Sequence, residues 1–349
     1  RQPTRIAVIG RQRAVVALIE ELEINAVGDH STVGWIASDG CVAEFPSPQA
    51  LGGVGELAAI VREHRIDLLL LGSEVPRLAV FDELVSAREP SSVRVCDLTA
   101  FYEDLFGHIP VSEINSTWFQ YIMHPRFRAT TSATKRAFDV IVATLLGIAV
   151  LPLLAIAAVL IKLSDGAPVL YRQQRIGEQG HPFWMYKLRT MRPTDEEHAQ
   201  VWCAVGDPRV TRTGRVLRNL HIDELPQLYN VLRGDMSMVG PRPEQPDISA
   251  RLEAQLPFYS RRQLIRPGLT GWAQVRCGYA GSDRGSAWKL SHDLYYLKHQ
   301  TLAYDISILM RTLAILAPRR RPGPLRDAPF VTRSMENAGQ EVVPESLAL

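Results

Sequence analysis

The chain has 349 residues, more than one hydrophobic core usually supports, so two compact domains are expected. Apolar residues make up 46% of it and the formal net charge is only +2, which excludes a disordered protein and gives no overall charge for binding nucleic acid. The four cysteines lie far apart without a Cys-x-x-Cys pair. This spacing indicates neither a zinc site nor a disulfide framework and fits a reducing environment.

The first hundred residues alternate short apolar runs with helical patterns. The runs that predict strands are Arg5 to Gly10, Val33 to Ser38, Ile66 to Gly72 and Val93 to Leu98. Helical spacing covers Arg13 to Leu22, Leu57 to Arg65 and Pro76 to Arg88. Because strands that alternate with helices form parallel sheets, residues 1–108 are predicted to be an α/β domain with a doubly wound, Rossmann-like parallel sheet.

The first strand-to-helix turn suggests a dinucleotide site but lacks its glycines. Gly10 is followed by Arg11, Gln12 and Arg13, so side chains would meet a pyrophosphate where the fingerprint needs a second and third glycine. A regulatory, structural or oligomeric role is therefore favoured for this domain.

An apolar segment follows a weakly patterned connector, residues 109–134. Between Asp139 and Lys162 lie 22 residues without a charge, enough for a helix of about 33 Å that crosses a bilayer core; a buried helix of a soluble protein is the alternative. Pro152 interrupts the segment, basic residues flank both of its ends, and positive charge marks the cytoplasmic side of a membrane. The pattern predicts a re-entrant hairpin over residues 136–164, broken at Pro152, with both ends on one side.

The sequence after this segment is rich in basic residues. They include Lys187, Arg189, Arg209, Arg212, Arg215, Arg218, Arg233, Arg242, Arg266 and Arg276. Guanidinium groups bind phosphate oxygens in a bidentate manner, which suits phosphorylated substrates, and they also rest on anionic lipid headgroups. Both interpretations remain open for any single arginine.

Two adjacent carboxylates, Asp223 and Glu224, lie in a segment that is predicted to form a short amphipathic helix ending near Gly234. An acidic pair in a first helical turn is commonly no more than a favourable interaction with the helix dipole. The motifs around the pair instead indicate a functional role for it.

Those motifs are KRAFDV, YKLRTM, DELPQLYNVLRGDMSMVGPRP and RPGLTGWAQV, in that order. From Lys135 to Leu316 the chain resembles the bacterial sugar transferases, the monotopic polyprenyl-phosphate phosphoglycosyl transferases. Its first domain looks like the nucleotide-binding-like domain of the larger members, which start exopolysaccharide, capsule or O-antigen synthesis. Those members normally carry several transmembrane helices before this domain. We therefore expect the chain to be part of a longer protein, with such helices before Arg1.

The resemblance implies a mostly helical (α+β) catalytic domain over residues 135–317 and a covalent mechanism. Asp223 matches the nucleophile that attacks a UDP-sugar and releases UMP, and undecaprenyl phosphate then takes the sugar phosphate. Glu224 matches the ligand of Mg²⁺, a cation that prefers oxygen ligands. Arg218, Arg242 and Arg276 fall on arginines used near phosphate. Asp293, Lys187 and Arg189 are further site candidates.

The same resemblance places the protein at the bacterial inner membrane, with its active site on the cytoplasmic face and membrane lipid as a partner. Residues 318–349 are predicted to be a basic, proline-rich tail. A homodimer is possible, and neither the sugar nor the oligomeric state follows from the sequence.

Two other functions remain as alternatives to the transferase: a non-catalytic membrane scaffold and a regulatory nucleotide-binding protein. A nucleotide-sugar oxidoreductase and an ordinary metal-dependent glycosyltransferase are disfavoured, since the chain contains neither Tyr-x-x-x-Lys nor Asp-x-Asp.

Overall fold

The computed structural model describes residues 3–25, 28–38, 48–86, 93–114, 118, 133–192, 207–277 and 283–316. Described residues up to Trp118 form one compact unit, and those from Ala133 form a second. The predicted tail, residues 318–349, and most of the predicted connector lie outside the described residues.

The first unit is built on a five-stranded parallel sheet with the order β3-β2-β1-β4-β5. Its strands are β1 (Thr4–Gly10), β2 (His30–Ala37), β3 (Ala50–Gly53), β4 (Leu68–Leu71) and β5 (Arg94–Asp97). The connecting helices are α1 (Gln12–Ile24), α2 (Leu57–Glu63), α3 (Arg77–Ser86) and α4 (Leu98–Phe106). Alternate residues of β1 enter two separate buried clusters, one on each face, so the sheet is covered on both sides as predicted.

A buried carboxylate lies at the edge of this sheet where a doubly wound fold would bind a nucleotide. Gly10 ends β1 with φ 140°, and it lies close to Gly72, which follows β4. Next to them, the Ser73 amide donates to Glu113 Oε2 over 3.0 Å, and burial raises the pKa of Glu113. An acidic group is a poor neighbour for a pyrophosphate, which agrees with the missing glycine fingerprint.

The second unit begins with a long helix and continues with short strands and helices. The helices are α5 (Ala133–Asp165), α6 (Arg212–Asn219), α7 (Gln227–Arg233), α8 (Pro246–Gln255), α9 (Trp272–Cys277), α10 (Asp283–His299) and α11 (Leu302–Leu316). The strands are β6 (Leu170–Ile176) and β7 (Pro182–Leu188), which form an antiparallel hairpin, and β8 (Ser237–Val239) and β9 (Gly268–Thr270), which pair in parallel. The predicted mostly helical character is confirmed.

Helix α5 contains the apolar segment. Within the described ranges it is the one helix long and apolar enough to cross a membrane, and only 11% of its most apolar 18-residue window is buried in the protein. Pro152 lies inside it, and the helix continues across that residue from Ala133 to Asp165. The structure therefore has a single long apolar helix at this place, and the predicted hairpin stays a prediction.

Charged side chains fasten the N-terminal end of α5 to the second unit. Lys135 Nζ lies 2.6 Å from Asp305 Oδ2 on α11, and Tyr296 donates to the other oxygen of Asp305 at 2.6 Å. One turn later, Asp139 accepts a hydrogen bond from Ser237 Oγ at 2.8 Å. The KRAFDV motif thus has a structural explanation, because its charged residues hold α5 against β8 and α11.

The C-terminal end of α5 is fastened separately. Ala157 and Ile161 are buried in a cluster with Leu188, Leu217 and Ile222. The Arg189 guanidinium donates to the carbonyl oxygen of Gly166 at 2.7 Å and also to that of Asp165. A cation at a helix C-terminus satisfies carbonyl groups that have no partner within the helix.

Candidate active site

The two adjacent carboxylates lie on a tight turn between α6 and α7. Helix α6 ends at Asn219, His221 adopts a left-handed conformation with φ 56°, and a 3-10 turn covers Ile222–Glu224. Helix α7 then runs to Arg233, and Gly234 ends it with φ 101°. The predicted short helix is therefore two helical pieces, and its predicted end near Gly234 is confirmed.

Glu224 is held by two cations from distant parts of the chain. Its Oε1 accepts hydrogen bonds from Lys187 Nζ on β7 at 2.8 Å and from the Arg242 guanidinium at 2.7 Å. Its Oε2 has a longer contact of 3.4 Å with Arg242. Burial opposes ionisation of this carboxyl, but the charges of Arg242 and Lys187 outweigh burial and hold its pKa well below the usual value.

Asp223 lies beside this group in a different electrostatic environment. Its side chain is buried at 7% exposure, and its carboxylate accepts no hydrogen bond from the residues that the structure describes. Burial and the negative charge of Glu224 raise its pKa, while the charges of Lys187 and Arg218 act in the opposite direction. The pair thus combines a firmly ionised carboxylate with a neighbour to which no described residue donates a hydrogen bond.

Arg218 reaches the pair from the last turn of α6. This helix begins at Thr211, whose hydroxyl accepts the Gly214 amide at 2.9 Å, and it packs tightly on the chain after β7. A Cβ at Gly214 would meet the Thr190 carbonyl, so only glycine permits this approach. Strand β7 and helix α6 thereby bring the charges of Lys187 and Arg218 to Asp223.

Arg242 follows β8 on a loop whose backbone is fixed from behind. Arg262 donates to the Arg242 carbonyl at 2.9 Å, and the same guanidinium is bound to Asp293 Oδ2 at 2.9 Å and to Tyr259. Asp293 and Arg262 are both buried. Asp293 therefore affects the site indirectly: it orients Arg262, and Arg262 fixes the backbone of Arg242.

Two other predicted residues lie elsewhere in the second unit. Arg189 holds the C-terminal end of α5, and Arg276 lies exposed on α9 with its guanidinium 5.4 Å from the centre of the Trp272 ring. The predicted residues that the structure brings into mutual contact are Lys187, Glu224 and Arg242, with Asp223 and Arg218 beside them.

Sequence reasoning missed Arg262 and Asn230. Asn230, six residues after Glu224, donates to the Trp184 carbonyl at 2.7 Å and accepts the Tyr186 amide at 3.1 Å, so it fixes α7 along the edge of β7. The sequence indicated this role only weakly, because a polar residue inside an apolar helical pattern does not show which group it binds.

The carboxylate pair fits a divalent cation. No group of three or more His, Cys, Asp or Glu side chains that could hold a metal occurs in the described part of the chain. Mg²⁺ is commonly held by one or two carboxylates with water and substrate phosphate completing its shell, so such a group is not needed. Glu224 is ionised and its Oε2 is only loosely held, which leaves an oxygen that can serve as a ligand.

Residues 130–319 match the family model described as bacterial sugar transferase. The chain is 44% identical over 179 residues to a UDP-N-acetylgalactosamine-undecaprenyl-phosphate N-acetylgalactosaminephosphotransferase of Aeromonas hydrophila, covering 51% of this chain and 42% of that protein. Several UDP-glucose:undecaprenyl-phosphate glucose-1-phosphate transferases also match, among them those of Caulobacter vibrioides and Xanthomonas campestris. That of Caulobacter vibrioides is 40% identical over 64% of this chain and 87% of its own length, and that of Xanthomonas campestris is 29% identical over 88% of this chain and 65% of its own.

The chain thus spans less than half of the Aeromonas relative, and the matched relatives carry different sugars in their names. The family match nevertheless includes every residue of the site described above. The chain belongs to the bacterial sugar transferase family.

Proposed function

We propose that this protein transfers a sugar-1-phosphate from a UDP-sugar to undecaprenyl phosphate and releases UMP, as the initiating step of exopolysaccharide, capsule or O-antigen synthesis. The observation that carries the proposal is the unequal carboxylate pair, in which Glu224 is neutralised by Lys187 and Arg242 while Asp223 is not hydrogen-bonded within the described residues. The names of the relatives supply the donor and acceptor classes.

In the first step, Asp223 attacks the β-phosphorus of the UDP-sugar. A bond forms between a carboxylate oxygen and that phosphorus, and the bond from the phosphorus to the bridging oxygen breaks. UMP leaves with the electron pair, and a sugar-phosphoryl aspartate remains. Covalent catalysis of this kind divides one difficult transfer into two easier ones.

In the second step, an oxygen of the lipid phosphate attacks the same phosphorus, and the bond to Asp223 breaks, returning the carboxylate. Both transition states carry negative charge on the phosphoryl oxygens, so cations beside the reaction centre lower the barrier. Arg218 and Lys187 already act electrostatically on Asp223. Arg242, with 30% of its side chain exposed, can turn from Glu224 to a bound diphosphate while its backbone stays fixed.

We propose Mg²⁺ as the cofactor, with Glu224 as its protein ligand. When bound, it would neutralise phosphate charge beside Asp223. The negative charge of Glu224 would then be shared between the cation and Lys187 whenever Arg242 turns to the substrate.

We also propose that α5 enters and leaves the membrane through its cytoplasmic face. A straight helix would separate Arg136 from Ile161 by about 38 Å. Arg136 donates to the carbonyl of Val231, and Ile161 is clustered with Ile222. Only nine positions of mostly helical chain separate those two partners, and both ends of α5 therefore return to one small region. A bend near Pro152 satisfies both sets of contacts.

A non-catalytic membrane scaffold is the competing function, and Asp223→Asn separates the two. For the enzyme, this change removes the nucleophile and keeps the shape, so UMP release should fall by roughly a thousandfold or more while UDP-sugar binding is retained. The measurement is UMP release from a panel of UDP-sugars by protein in nanodiscs with Mg²⁺ and undecaprenyl phosphate, with EDTA and Asn219→Ala as controls. Equal activity in Asp223→Asn would remove this residue from the nucleophile role.

A further inference from the structure

We propose that the outer face of the β6–β7 hairpin, together with Tyr229 of α7, binds the isoprenoid chain of the lipid phosphate acceptor. This inference rests on the proposed function and adds a second subsite to it. It starts from an exposed group of aromatic side chains that the reaction steps above do not use.

The group, called here the aromatic patch, consists of Arg172, Trp184, Tyr186 and Tyr229. Trp184 is 44% exposed and Tyr229 is 57% exposed, although both are large and largely apolar. The Arg172 guanidinium stacks 4.8 Å from the centre of the Trp184 ring, and the rings of Tyr186 and Tyr229 meet edge to face at 5.6 Å. Exposed aromatic rings on one face with a cation among them suit an apolar chain that carries an anionic head.

The two faces of β7 contact different parts of the protein. Successive residues of a strand point to opposite faces, so Lys187 points away from the patch, and it is bound to Glu224. On the patch face, Leu188 pairs across the hairpin with Leu170, which is 54% exposed. Lys187 thus reaches the carboxylates from one side of the strand, and the exposed aromatic residues lie on the other side.

At Leu188 the hairpin packs against α5 and against the residue before Asp223. Leu188 is buried in the same cluster as Ala157 and Ile161 of α5, and Ile222 of that cluster immediately precedes Asp223. A lipid chain that runs along α5 can therefore pass over the hairpin with its phosphate end near Asp223.

The patch is also held at a fixed place relative to the carboxylates. Asn230 binds the backbone of both Trp184 and Tyr186, and it lies on the same short helix as Tyr229, six residues after Glu224. Residues that merely rest in the headgroup region of a bilayer need no such coupling to the catalytic turn. The occupant we infer is accordingly the acceptor, and a contact with bulk lipid is the outcome that would contradict us.

The test uses the two half-reactions of the proposed mechanism. Exchange of labelled UMP into UDP-sugar needs the donor, Mg²⁺ and Asp223 but no acceptor, whereas net product formation also needs the acceptor. We expect Trp184→Ala and Tyr229→Ala each to raise the KM for undecaprenyl phosphate about tenfold, with exchange changed by less than about twofold. Trp184→Phe should restore most of the loss.

A short-chain acceptor makes the test specific for the isoprenoid. With geranyl phosphate, which has too little chain to cover the patch, the variants and the unchanged protein should have similar kcat/KM values. Phe81→Ala, an exposed aromatic position in the first unit, is the matched control and should leave all of these values unchanged.

Each contrary result has a distinct meaning. If the unchanged protein shows no exchange, the proposed covalent function fails and this inference fails with it. If exchange is normal and the acceptor KM does not move in the variants, the inference alone is wrong. If binding of the variants to liposomes falls in parallel with the acceptor KM effect, the patch is a bilayer contact and the inference is overturned.

Discussion

At the scale of single residues, the protonation of Asp223 depends on side chains far away in sequence. Burial and Glu224 raise its pKa, and Lys187, 36 positions earlier in the chain, lowers it. Sequence motifs identified the two carboxylates, and the resemblance implied a role for each, but the sequence did not show that their electrostatic environments differ. That difference comes from the contacts of Glu224 with Lys187 and Arg242, which only the folded chain creates.

The electrostatics predict a pH effect for Lys187→Gln. The nucleophile must be ionised, so UMP exchange should rise with pH through the pKa of Asp223, and the raised pKa places this rise above the usual aspartate range. Removing the Lys187 charge takes away an influence that lowers this pKa. The acid limb of the exchange rate should therefore move to higher pH.

The control for this prediction is Lys162→Gln. The Lys162 side chain is exposed near the C-terminal end of α5 and is not among the charges that shift the pKa of Asp223. Its acid limb should coincide with that of the unchanged protein. A limb that stays in place or moves to lower pH in Lys187→Gln would show that Asp223 does not control the step.

At the scale of elements, apolar runs predicted most of the first sheet. The strands β1, β2, β4 and β5 were found because each overlaps a short run that is rich in apolar residues. Ala50–Gly53 was missed because two of its four residues are glycines with little strand preference. Helix α4 was missed because it begins at Leu98, where the predicted strand was still continuing. Such boundaries depend on packing more than on local pattern.

The attachment of α5 to α11 gives a prediction about stability. Asp305→Ala leaves Lys135 buried beside the more distant Asp139, at 3.9 Å, and removes an acceptor of the Tyr296 hydroxyl. Breaking one half of a buried ion pair is costly, so we expect a loss of about 3 kcal/mol in the free energy of unfolding. Thermal unfolding in nanodiscs measures the change.

The paired variant Lys135→Met with Asp305→Leu separates charge from packing. It removes both buried charges and keeps apolar volume, so it should be more stable than Asp305→Ala. Equal losses in the two proteins would mean that the ion pair is not what makes Asp305 important.

At the scale of the whole molecule, membrane topology is the feature that sequence and structure address together. Length and lack of charge predicted an apolar helix, and α5 has both properties with most of its surface exposed. Sequence could not show that both ends of this helix are fastened to the same unit, through Lys135 and Asp139 at one end and Ile161 at the other. That arrangement favours a bent path over a straight span.

Pro152→Leu tests the bent path. Proline in a helix interior removes a hydrogen bond and disfavours a straight course by about 3 kcal/mol, so leucine should stabilise a straight span at the expense of the contacts at one end of α5. We expect cysteines placed at Ala133 and Gly166 to resist a membrane-impermeant maleimide added outside intact cells, and one of the two to become labelled in Pro152→Leu. Leu153→Ile, an adjacent change that keeps the proline, should leave both protected. If both cysteines stay protected in Pro152→Leu, Pro152 does not determine the topology, and the contacts of Lys135 and Ile161 are then sufficient to hold α5 on one side of the membrane.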